Sequence, residues 1–112
     1  MTFFRTRKNK YNATRTPYRS IQGFDHVYDS KREAQYAGEL DMMIRGGMVK
    51  YWIPQITFLL PGGVRARLDF LVCYVDGETV QYHEVKGVLT QSSANKYKQI
   101  KALFGIDVII IR

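Results

Sequence analysis

Asp69, Glu84 and Lys86, two acids and an amine that can share one face, stand within one short stretch of the chain, Arg65 to Gly87, RARLDFLVCYVDGETVQYHEVKG. Asp76-Gly77 at its centre is a strong two-residue hairpin signal, because a type I′ turn needs φ > 0 at both central positions. With those residues in the turn, Val75 pairs with Glu78, and the same register carries Asp69 to a place directly opposite Glu84. Opposed side chains on neighbouring antiparallel strands sit roughly 4.5–5.5 Å apart at Cβ. Lys86 lies two residues beyond Glu84, so strand alternation returns its side chain to the same face.

Carboxylates held that close repel unless a proton or a cation lies between them, and a like-charge cross-strand pair is normally destabilising. Hard oxygen donors with an open coordination sphere suit Mg²⁺ or Mn²⁺, which commonly bind one or two carboxylates plus phosphate. The plainer alternative is a solvated pair of acids, or acids neutralised by Arg65 and Arg67.

Positioning these groups requires a sheet. On the first hairpin strand, strict alternation puts Ala66, Leu68, Phe70, Val72 and Tyr74 on the face opposite Asp69. Leu71, Cys73, Val80 and Tyr82 then continue Asp69's own face. Upstream, Val49 to Leu60 (VKYWIPQITFLL) is rich in β-branched and aromatic residues and reads as extended. Pro54 cannot donate to a ladder, which places this strand at an edge or a bulge. Pro61-Gly62-Gly63 turns the chain into the hairpin.

A helix precedes the sheet. Ser30-Lys31-Arg32-Glu33 is a capping box, in which the Ser30 hydroxyl caps the Glu33 amide and the Glu33 side chain reaches back. Tyr36, Ala37, Leu40, Met43 and Ile44 recur at helical spacing and define an inner stripe. Gly46-Gly47 ends the helix. Glu33 shares the apolar stripe and so turns toward the sheet, as a capping residue alone or as a site carboxylate that also caps. Glu39 and Asp41 fall to solvent. After Gly87, Ser92 or Ser93 caps a second helix running to about Phe104, with Tyr97, Ile100, Leu103 and Phe104 inward. Lys96, Lys98 and Lys101 lie outward or toward the acids. Gly105 ends this helix, and Val108–Ile111 reads as a strand buried on both faces.

The 112 residues suffice for one domain with a single core. A hydrophobic content of 46% with eight Tyr and six Phe indicates a folded chain. The net charge of +7 calls for a polyanionic partner, most simply nucleic acid. A single cysteine, Cys73, excludes an intrachain disulfide and a multi-cysteine zinc site, and fits a reducing interior. No apolar run follows the first basic residues as in a signal peptide, and no stretch is long enough for a membrane span. Residues 1–24 carry Arg5, Arg7, Lys8, Lys10, Arg15 and Arg19 with no acid before Asp25, which describes a basic arm for a phosphate backbone. Residues 25–112 form the domain. His83 falls on the face opposite Glu84, and nothing in the spacing gives His26 a role.

With these residues in place, the chain resembles the PD-(D/E)xK nuclease superfamily. The resemblance covers about residues 27–112. It rests on Asp69, on Glu84-Val85-Lys86 as the E-x-K element, and on Glu33 as the acid from the first helix. Within the superfamily it is similar to small, single-domain phage-type endonucleases of the Holliday-junction-resolvase kind, through the SKREAQYAGEL helix and the HEVKG strand. Leu68 replaces the proline of the named motif.

The resemblance implies an α/β fold with an αβββαβ restriction-endonuclease-like core, a mixed sheet flanked by helices. It implies Mg²⁺-dependent hydrolysis of DNA phosphodiester bonds, with Mn²⁺ able to substitute. Asp69, Glu84 and the Val85 carbonyl would hold one ion, with Glu33 on a second ion or joined through water. Lys86 would orient water or offset charge on phosphorus, and Gln55 stands where several members keep a glutamine near the site. Arg65, Arg67, Lys96 and Lys98 join the arm in binding DNA, duplex or branched. Symmetric cleavage of a junction would need a homodimer. The implied setting is cytoplasmic, the host's if the chain is phage-encoded. A non-catalytic nucleic-acid-binding module on the same fold is the alternative.

Overall fold

The structure, a computed structural model, describes residues 14–112. Arg5, Arg7, Lys8 and Lys10 of the expected arm lie outside the described residues. The fold is α/β, with two α-helices, a two-stranded sheet and a mixed four-stranded sheet among the described residues. The chain forms two compact units, Met1–Gly46 and Gly47–Arg112.

In the first unit, β1 (Thr16–Arg19) pairs antiparallel with β2 (Asp25–Tyr28), and α1 (Lys31–Arg45) follows. Residues 14–24, read from sequence as arm, are therefore largely hairpin. Arg19 pairs with Asp25 at 2.8 Å and Arg15 with Asp29 at 3.8 Å. Exposed pairs of this kind contribute about 0–1 kcal/mol each, so they orient the strands more than they hold them.

The start of α1 is as the capping box predicts, with the Ser30 hydroxyl accepting the Glu33 amide at 3.1 Å. Ala34, Tyr36, Ala37 and Leu40 are buried, and the left-handed residue past the helix end is Gly47, at φ 76°. Asp41 departs from expectation: it is buried, not solvated. Its carboxylate accepts from the Tyr18 hydroxyl at 2.5 Å, the Ser20 hydroxyl at 2.8 Å and the Ile21 amide at 3.0 Å. A buried carboxylate needs such donors, and here they tie the β1–β2 hairpin to α1.

The second unit holds β3 (Val49–Leu60), β4 (Val64–Tyr74), β5 (Val80–Val85), α2 (Gln91–Phe104) and β6 (Val108–Ile111). The sheet order is β3-β4-β5-β6, antiparallel except for the parallel β5–β6 pair. Pro54 sits on the edge strand β3, where its missing donor costs least. The β4–β5 register is the expected one, Phe70 opposite His83 through Cys73 opposite Val80. The turn is of another type. Only Gly77, not Asp76, has positive φ, and the closing bond runs from the Tyr74 amide to the Thr79 carbonyl at 2.9 Å. Asp76 accepts the Glu78 and Thr79 amides at 2.9 and 2.8 Å, which stabilises a four-residue connection in place of the two-residue one. Tyr74 and Thr79 belong to the same register series, so the lost rung moves nothing further down.

One face of the second unit's sheet packs under α2, where Leu60, Ala66, Leu68 and Ile100 form a buried cluster joined by Phe58, Tyr82, Tyr97 and Val108. Burying each larger apolar side chain here contributes roughly 1.5–3 kcal/mol. The N-cap of α2 is Thr90, which accepts the Ser93 amide at 3.1 Å, so the helix starts earlier than Ser92 or Ser93 would allow. Leu103 and Phe104 are 52% and 48% exposed, less inward than expected, although the Phe104 ring still packs on Phe58 with centroids 5.2 Å apart. β6 ends the sheet as an edge strand and is half-buried throughout, where burial on both faces was expected.

The cluster also overturns strict alternation along β4. Phe58, whose partner is Ala66, and Tyr82, whose partner is Leu71, stack edge to face with centroids 5.4 Å apart. Ala66 and Leu71 thus share a face, though their spacing would oppose them. The phase slips between Leu68 and Leu71. There the β3–β4 ladder skips Gln55 and Asp69, and Gln55 has φ 57°. Ala66 and Leu68 therefore do not share one face with Phe70 and Val72 as the sequence pattern requires.

Candidate functional site

Asp69 and Glu84 come together at the point where β4 and β5 part. The backbone ladder between these strands ends at Phe70 and His83. Beyond it, side chains make the links: Glu84 Oε1 accepts the Asp69 amide at 3.1 Å, and Asp69 Oδ2 accepts the Val85 amide at 2.8 Å. The end of β5 stays straight because β6 holds its other side, with Glu84 opposite Ile110 and the Lys86 amide donating to the Ile111 carbonyl at 2.9 Å. A fork in the sheet thus opens where the two acids meet.

Glu84 is buried, at 6% exposure, and Asp69 is half-buried. Burial, then hydrogen bonding with Glu84 and its charge, pushes the Asp69 carboxyl up to about 8, against the opposing pull of the Val85 amide and Lys86. Two acids in a desolvated fork share a proton or need a cation. A donor set of two carboxylates fits a hard divalent ion such as Mg²⁺ or Mn²⁺, and the Val85 carbonyl is adjacent in sequence. Among the described residues, Lys86 makes no direct ion pair with either acid, although its charge acts on Asp69.

From α2, the Tyr97 hydroxyl donates to Glu84 Oε2 at 2.9 Å. Burial and the charge of Glu84 hold the Tyr97 phenol well above the usual tyrosine range, so it keeps its proton. Sequence reasoning placed Tyr97 in the core. Its ring is there, but where its hydroxyl goes depends on how α2 crosses β5, which no spacing encodes.

Next to Glu84 and Lys86 a cleft of about 280 Å³ opens, lined also by Arg65, Arg67, Ser93 and Lys96. Four cations border one acid, a lining suited to an anion. Lys98 is exposed on α2 and Lys101 pairs with Asp107 at 2.8 Å. Gln55, on β3, falls between the Pro54–Phe70 and Ile56–Leu68 pairs, where the ladder passes over Asp69 on β4, and is held at φ 57°. For a residue other than glycine that conformation costs about 1–2 kcal/mol, and such strain gathers at functional sites.

Glu33 belongs to the first unit, where its amide and carboxylate engage Ser30. His83 is buried beside Gln81, 3.0 Å away, on the face opposite Glu84 as expected. Its burial lowers its pKa. His26 lies on β2 of the first unit. No family model matches this chain, and neither a curated protein nor a solved structure does. No helix among the described residues is long and apolar enough to cross a membrane.

Proposed function

We propose that the chain is a divalent-cation-dependent endonuclease that hydrolyses DNA phosphodiester bonds. The observation that carries this reading is the meeting of Asp69 and Glu84 in a desolvated fork whose mouth is lined by Lys86, Arg65, Arg67 and Lys96. The order from α1 to β6, helix, three strands, helix, strand, supports the αβββαβ nuclease core as the finer fold.

Asp69 and Glu84 would hold the ion, with the Val85 carbonyl as a further donor. When bound, such an ion polarises the phosphate and makes water a stronger nucleophile at neutral pH. The chain's own residues do the rest. Arg65, Arg67 and Lys96 seat the backbone phosphate in the cleft. Lys86 presents an ammonium toward charge that grows on phosphorus in the transition state, where such groups contribute most. Among the described residues the one aromatic side chain lining the cleft is Tyr97, whose ring is in the core cluster and whose hydroxyl is on Glu84. Contacts of this kind hold the backbone and leave base sequence unread.

The test incubates the full chain with linear duplex, single-stranded, flap and four-way-junction DNA in Mg²⁺, Mn²⁺ or chelator, with Asp69→Asn alongside. Cleavage that needs the ion and is lost in Asp69→Asn supports the reading. Preference for the junction, with a dimer in solution, supports junction resolution by a homodimer. Binding with no cleavage under any condition would make the chain a non-catalytic DNA-binding module, and cleavage that survives chelation would end the metal proposal.

A further inference from the structure

We infer that Tyr97 is a positioning residue for cation binding: its hydroxyl fixes the Glu84 carboxylate in the orientation that receives the ion. The inference rests on the metal-site reading proposed for Asp69 and Glu84. A carboxylate at 6% exposure cannot be solvated freely and must find donors inside the protein. Glu84 finds one for each oxygen, the Asp69 amide at 3.1 Å on Oε1 and the Tyr97 hydroxyl at 2.9 Å on Oε2. The first donor belongs to the fork itself. The second comes from α2 and is the only protein side chain with a hydroxyl on this carboxylate among the described residues.

Tyr97 is also anchored at its other end. Its ring packs in the Leu60, Ala66, Leu68 and Ile100 cluster, so the height of the hydroxyl over β5 is set by how α2 seats on the sheet. A flexible side chain at this position would lose rotamer entropy on reaching Glu84, whereas a core-packed tyrosine has already lost it. One lone pair of Oε2 is taken by the phenol. With a donor on each oxygen the carboxylate is held in one orientation, and partners that orient metal-binding groups typically change affinity 10–100-fold when removed.

The test measures Mn²⁺ binding by titration calorimetry on the full chain, for wild type, Tyr97→Phe and Tyr82→Phe, with urea unfolding of each. Tyr97→Phe deletes one hydroxyl and keeps the ring in the cluster. Tyr82→Phe deletes a hydroxyl from the same cluster and serves as the control. The expected result is about tenfold weaker Mn²⁺ binding in Tyr97→Phe, with no change in Tyr82→Phe. Should Tyr97→Phe not fold, Tyr97→Leu must show the same loss. Equal affinity in wild type and Tyr97→Phe would overturn the inference alone, including when the variant is less stable, since the bond would then be structural only. A wild type that binds no Mn²⁺ would overturn the metal reading and this inference with it.

Discussion

Asp69 Oδ2 accepts the Val85 amide hydrogen at 2.8 Å, so main chain just past Glu84 holds the carboxylate that Glu84 faces. That bond favours the ionised form of Asp69, yet burial and Glu84 outweigh it and leave the pKa near 8 instead of 3.8. An acid with a raised folded pKa takes up a proton on folding. Its stabilisation is complete below 3.8 and is lost as pH rises through about 8. In chelator, the urea midpoint of wild type should therefore fall relative to that of Asp69→Asn across this range. His83 works the other way, since its lowered pKa makes stability rise with pH up to its unfolded value of 6.5. The difference between the two curves removes that contribution. Excess Mn²⁺ should restore wild type at the alkaline end, because the cation takes the proton's place.

The cleft should bind phosphate by charge. Arg65→Ala and Lys96→Ala are each expected to weaken DNA binding by a similar factor on unrelated sequences. Each should also lower the slope of log affinity against log salt by about one. Fluorescence anisotropy with two duplexes of different sequence over a salt series measures both. A loss confined to one sequence would mean that these residues read bases.

Asp41 carries the first unit's polar core. Asp41→Ala strands the Tyr18, Ser20 and Ile21 donors. With about 1–3 kcal/mol for each buried group left unpaired, and some recovered by water, the expected cost is about 3 kcal/mol. Asp41→Asn, which keeps one acceptor oxygen, should cost less. Urea unfolding of both variants gives the order.

Gln55 offers a gain in place of a loss. At φ 57° a side-chain-bearing residue is strained by about 1–2 kcal/mol, whereas glycine is not strained but adds about 0.5–1 kcal/mol of backbone entropy to the unfolded chain. Gln55→Gly should thus stabilise by up to about 1.5 kcal/mol. If the glutamine serves the site at Asp69, cleavage should fall in the same variant. Unfolding and cleavage measured together test both halves.

Much of the second unit could be read from spacing. The Asp69–Glu84 register was legible because it depends on where the hairpin centres and not on the turn type, so an incorrect type I′ assignment left it intact. The capping box at Ser30 and the edge position of Pro54 were legible for the same kind of reason, each being a local rule with one geometric outcome. Asp41 was not, because helical periodicity assigns a polar residue to solvent and does not know that Tyr18, Ser20 and Ile21 will bring donors to it. The phase slip defeats any period-2 reading of β4, since the faces exchange between Leu68 and Leu71, where the β3–β4 ladder passes over Gln55 and Asp69. Tyr97 was hidden by its own ring, which satisfies the core pattern and leaves the hydroxyl unaccounted for.

The half-buried edge strand β6 has a consequence for handling the protein. Val108–Ile111 is a run of four β-branched residues that, among the described residues, pairs in the sheet on one side only, the composition that templates intermolecular stacking. Charged residues flank it as gatekeepers, Asp107 tethered to Lys101 at 2.8 Å and Arg112 donating to the Gly87 carbonyl at 3.0 Å. Solubility at high concentration therefore leans on these two charged residues, and replacing either with an apolar one removes that safeguard.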